Sequence, residues 1–147
     1  MLETGSKEIS QDLQNAIKKR LSAIPIFQAL EYNCERLGKG EAVFTAPHPK
    51  QFDGIFESYH GGLLMTIADS TACMAVLTLA GADAIVTTTD MNIRFLAPCL
   101  SDVIAEAKVI KFGSTLYPVS VDLRNNEGKL VAVAQVTYMR LDKMPKR

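Results

Sequence analysis

Tyr59-His60-Gly61-Gly62-Leu63-Leu64-Met65-Thr66-Ile67-Ala68-Asp69 opens the most apolar segment of the chain, and its reading decides the fold. Leu64, Ile67, Ala68, Ala72, Ala75, Val76 and Leu79 recur at core spacing, which predicts a helix from about His60 to Ala80. Gly81-Ala82-Asp83 ends it. A helix this apolar must be covered on several sides.

The material to cover it follows at once. Four strand-like runs, 84–97, 103–112, 116–124 and 130–141, are separated by short breaks at Pro98, Gly113-Ser114 and Asn125-Asn126-Glu127-Gly128. Such breaks make antiparallel neighbours. In the first run, Ile85, Thr87, Thr89, Met91, Ile93 and Phe95 alternate with Thr88, Asp90, Asn92 and Arg94, so one face is polar. Pro118 inside the third run predicts an edge strand or a bulge. Upstream, Ile9, Leu13, Ala16, Ile17, Leu21 and Ile24 mark an amphipathic helix closed by Pro25. The stretch 32–46 reads as a hairpin turning at Leu37-Gly38-Lys39-Gly40. The fold class is α+β, one antiparallel sheet curled around a long central helix. It fills one domain over residues 1–147, with an amino-terminal helix in 1–25 and a frayed basic tail at 143–147.

Composition narrows the functions. Lys+Arg and Asp+Glu balance at 16 each, which gives no field to draw nucleic acid or an anionic membrane as a partner. The stretch 1–11 carries Glu3, Lys7 and Glu8 without an apolar run, so neither a leader nor a membrane span is expected there. Cys34, Cys73 and Cys99 are odd in number and lack a Cys-x-x-Cys spacing, which argues against disulfides and against a zinc site. A cytoplasmic protein without metal is expected.

Two features of the opening segment carry chemistry. A helix start leaves backbone N–H groups free to meet a negatively charged oxygen, and Gly61 and Gly62 allow a bulky group to approach that backbone. Asp69 is a carboxylate among apolar neighbours, suited to activate water or to attack a carbonyl. Together they suit thioester hydrolysis, which needs donors for the developing oxyanion and a carboxylate. Eight residues of helix separate Gly61 from Asp69, a rise of about 12 Å, too far for both to serve one carbon in one chain. A two-fold dimer with antiparallel helices would bring Asp69 of one subunit to Gly61 of the other.

His60-Gly61-Gly62, Asp69 nine residues after the histidine, Thr88-x-Asp90, Phe95-Leu96-Ala97-Pro98 and Lys111-Phe112-Gly113-Ser114-Thr115 together resemble the PaaI-like thioesterases of the hotdog fold. The resemblance runs from about Gln51 to Met139. It implies an acyl-CoA thioesterase acting on a small, medium-chain or aromatic acyl group, assembled as a homodimer or a dimer of dimers. Coenzyme A would enter as part of the substrate, with no separate cofactor. The catalytic residues implied are Asp69, Gly61, His60 and Thr88, though His60 also suits a plain helix cap and Thr88 an ordinary strand. Asp90 reads as ordering an interface or the surroundings of the site rather than performing chemistry. The pantetheine arm would run between Phe95-Leu96 and Gly113-Ser114-Thr115, with Lys111, Arg94 or Lys108 meeting phosphates. Met65, Met74, Phe52 and Phe56 would line the acyl space. Relatives carry asparagine six residues before the histidine and glycine three before it, where this chain has Gly54 and Glu57. Gln51, Asp53 or Ser58 would have to replace that amide, and Glu57 would bring a second carboxylate or stay a solvated loop residue. A non-catalytic acyl-CoA-binding module and a hotdog hydratase or dehydratase are the alternatives.

Overall fold

The computed structural model describes residues 7–144 and 146. The expectation of a leaderless amino terminus rests largely on residues outside this range, as does part of the expected tail. Two helices, α1 (Gln11–Ser22) and α2 (Pro25–Ala29), precede the hairpin β1 (Asn33–Gly38) and β2 (Glu41–Ala46). The long helix α3 (Gly61–Ala80) follows, then β3 (Val86–Phe95), β4 (Val103–Val109), β5 (Leu116–Asn125) and β6 (Leu130–Arg140). All six strands form one antiparallel sheet in the order β1-β2-β4-β5-β6-β3.

The sheet wraps α3, which packs on β2, β4, β5 and β6. Inward positions are Ala42 and Phe44 on β2, Val103, Ala105 and Ala107 on β4, Tyr117, Val119, Val121 and Leu123 on β5, and Val136 and Tyr138 on β6. They meet Leu64, Ile67, Ala68, Ala72, Ala75 and Val76 of the helix, all buried. The small residues on both sides permit close approach of helix and sheet. In length and composition α3 would suit a membrane span, but here the sheet and α1 bury one side of it, 56% of its most apolar window. Thr78 of α3 accepts from Gly40 N at 2.9 Å and so pins the hairpin turn, where Gly40 has φ of 74°. Arg20 of α1 donates to the carbonyls of Ala82 and Ala84, fixing the connection from α3 to β3.

Three expectations need correction. Pro25 does not merely close the first helix; it begins α2 at a position where its missing N–H costs nothing. Pro118 lies in a central strand, not at an edge. Its carbonyl accepts from Ile110 N at 2.8 Å, just past the last β4–β5 pair at Val109 and Val119, so its missing donor ends that ladder. Finally, β3 does not alternate evenly. Its register with β6 slips between Thr88 and Asp90, and this bulge turns Thr88 to the helix side together with Met91 and Ile93.

Candidate active site

The helix start is built by its own cap. His60 stands outside the helical conformation, and its Nδ1 accepts from Gly62 N at 3.0 Å. That bond removes Gly62 from the pair of oxyanion donors expected. Gly61 N has no acceptor among the described residues, so it is the open donor. A side chain at Gly61 would put its Cβ 3.1 Å from Cζ of the exposed Phe95 ring, a tight contact to which the ring would have to yield. Between them lies a hollow of about 390 Å³ lined by Ser58, Tyr59, Gly61, Leu64 and the segment 95–99.

Asp69 is held from the sheet. Thr88 Oγ1 donates to its Oδ1 at 2.8 Å, and the Tyr138 hydroxyl shares its proton between the same Oδ1, at 2.7 Å, and the Asp69 carbonyl, at 2.8 Å. Thr88 and Tyr138 face each other across the β3–β6 ladder, which explains why both reach one oxygen. Oδ2 has no partner among the described residues, and Asp69 is only half-buried. One carboxylate oxygen is therefore anchored and the other presented. Burial, then the neighbouring Cys73 and Asp69, push the Tyr138 phenol far above its ordinary value, so it remains a donor at neutral pH. Burial, and after it Asp69, likewise push the Cys73 thiol up to about 11.

Tyr138 was not among the residues picked out from sequence. The signal was an inward tyrosine on a strand facing the helix, whose hydroxyl had to find a partner there.

Other candidates lie apart. Lys111, Gly113, Ser114 and Thr115 form the turn between β4 and β5, where Thr115 O accepts from Arg140 N at 2.9 Å. Arg140 pairs with Val86, at the start of β3, whereas Phe95 pairs with Ala132 at its other end. Ten residues of strand, about 30 Å, thus separate that turn from Phe95 and Leu96. The two parts expected to flank the pantetheine arm are not neighbours within one chain. The turn sits instead on the Asp69 side, because Tyr117, next along from Leu116, pairs with Tyr138.

Lys108 projects from the outer face of the sheet, away from the helix, since Ala105 and Ala107 point inward. Arg94 is exposed and donates to its neighbour's carbonyl, and Asp90 is exposed with no side-chain hydrogen bond among the described residues. Within one chain the residues expected to line the acyl space lie apart: Met65 is half-buried on α3, Met74 is core beside α1, Phe52 packs near Tyr59, and Phe56 is 86% exposed. In the approach loop, Glu57 has a φ of 56°. A left-handed backbone there gives a physical reason for the glycine of the resemblance. Of the residues expected to replace the missing amide, Gln51 is exposed, Ser58 lines the hollow, and Asp53 is engaged by His48.

Residues 56–132 match the model of the thioesterase superfamily. Human acyl-coenzyme A thioesterase 13 is 34% identical over 142 residues, covering 88% of this chain and 94% of that protein. The Escherichia coli PaaI protein of the phenylacetic acid degradation operon superposes with a TM-score of 0.85 at 21% identity, covering 93% of this chain and 99% of its own. A variant of PaaI from Thermus thermophilus gives a TM-score of 0.73 at 26% identity, covering 80% of this chain and 100% of its own. An antiparallel sheet wrapped on one helix, with these matches, is the hotdog fold. The chain belongs to the thioesterase superfamily and is a thioester hydrolase.

Proposed function

We propose that this protein hydrolyses the thioester of a small, medium-chain or aromatic acyl-CoA at sites shared between two subunits. The observation that carries the reading is the division of one chain into two half-sites. One holds the Gly61 N–H, Phe95 and Leu96; the other holds Asp69, Thr88, Tyr138 and the Lys111 turn. A two-fold axis that sets the helices antiparallel unites the first half of each subunit with the second half of its partner. Gly61 N–H then receives the oxyanion with help from the positive end of α3. Asp69, oriented through Oδ1, directs Oδ2 to the thioester carbon or to a water beside it. His60 acts by capping the helix so that Gly62 is satisfied and Gly61 is not.

The acyl-CoA class is supported by the name of the human relative. A hydratase would leave the thioester intact, so release of free thiol separates the two readings. Free thiol released from acyl-CoAs of graded length and from aromatic acyl-CoAs is the test, with Asp69→Asn alongside. We expect thiol release from the native chain and a loss of at least a hundredfold in the variant. Undiminished release by Asp69→Asn would remove Asp69 from the reaction.

A further inference from the structure

The loop before α3 is closed by a hydrogen-bonded histidine–aspartate pair that lies outside both half-sites. His48 Nε2–H donates to Asp53 Oδ1, and the two side chains are only 11% and 18% exposed. The His48 ring stacks on that of Tyr59, with centroids 5.0 Å apart and planes at 23°. The Tyr59 hydroxyl donates to Pro47 O at 3.0 Å, and His48 N donates to the Asp102 carboxylate at 2.9 Å. Three groups, Asp53, the Tyr59 ring and Asp102, thus converge on one histidine in a loop. Solvated loops do not need such an arrangement.

Backbone bonds carry the constraint to the helix start. Asp53 pairs with Tyr59 in an antiparallel bridge, His60 N donates to Phe52 O at 2.8 Å, and Gly54 N donates to Ser58 O at 2.8 Å. Tyr59 N donates to Cys99 O at 2.8 Å, which ties the same loop to the opposite wall of the hollow. The pair is therefore joined through Asp53 and Tyr59 to His60-Gly61 on one side and to the segment 95–99 on the other.

We infer that His48 and Asp53 are positioning residues for the Gly61 donor, a clasp that holds the oxyanion N–H at its place in the hollow. The inference rests on the reading of Gly61 as that donor. Because an oxyanion contact forms in the transition state, displacing it lowers kcat and leaves KM nearly unchanged. A shift of about 1 Å suffices for a large loss.

The test uses Asp53→Ala, His48→Ala, their double variant, and the conservative Asp53→Asn and His48→Gln, in which an amide can keep the bond. Steady-state kinetics are read beside the amide resonance of Gly61 in glycine-labelled protein. Expected are a kcat lower by roughly tenfold to a hundredfold in each alanine variant with KM little changed, and no further loss in the double variant. Asp53→Asn and His48→Gln recover most of the rate and the native Gly61 resonance. An unmoved Gly61 resonance in the folded alanine variants overturns the clasp. A moved resonance with native kcat leaves the clasp in place and overturns the donor role of Gly61. Should the alanine variants not fold, the amide variants decide: rates and resonances unlike native in both, at native stability, contradict a role met by one hydrogen bond.

Discussion

At the scale of single residues, the carboxylate of Asp69 is governed by two donors that the sheet supplies to one oxygen. Tyr138→Phe removes one of them and frees the rotamer without opening a cavity. We predict a fall in kcat of roughly tenfold with a loss of stability near 1 kcal/mol, read by thiol release and by denaturant unfolding. Loss of stability with native kcat would make Tyr138 a packing residue. Glu57 offers a second prediction. Its left-handed backbone costs roughly 1 kcal/mol, which glycine would relieve while adding unfolded-chain entropy of similar size. Glu57→Gly should therefore leave the melting temperature within about 2 °C of native, whereas a second bulky residue there gains nothing. A large destabilisation by Glu57→Gly would show that the side chain holds the loop.

Within the elements, α3 and the strands were legible in the sequence because hydrophobic period and turn residues agree along them. The helix from His60 to Ala80, the hairpin and the four later strands stand within a few residues of where the pattern puts them. The bulge beside Thr88 was not legible, since an extra residue in an edge strand depends on its pairing with β6 and leaves no local mark. The even alternation of 87–95 therefore assigned Thr88 to the wrong face. Gly62 was misread for a related reason: both glycines look alike in sequence, and only the cap geometry shows that His60 takes one N–H.

The thiol of Cys73, one turn beyond Asp69 on α3, gives this element a pH dependence. Its folded value of about 11 stands above the ordinary 9.0, so the unfolded chain loses the proton first. Stability is thus full below about pH 9 and falls as pH rises toward about 11, by on the order of 2 kcal/mol. Cys73→Ala should flatten that slope in urea unfolding at graded pH; an unchanged slope would assign it to other groups, such as Tyr59, pushed up to about 12 by burial.

For the whole molecule, the decisive fact is how far apart the candidate groups lie within one chain. Gly61 and Asp69 lie about two helical turns apart, and Phe95 is a full strand away from the Lys111 turn. The helical spacing made the first separation readable from sequence. The second was hidden, because the distance from Phe95 to the Lys111 turn depends on how β3 and β5 pair with β6, which leaves no local mark. The measurement that tests the shared site most directly is complementation in mixed dimers of Asp69→Asn and Gly61→Val, each inactive alone. In a purified heterodimer one site carries both substitutions and the other carries neither, so about half of the native activity per dimer should return. Verified heterodimers with no more activity than either parent would contradict a site built from two subunits.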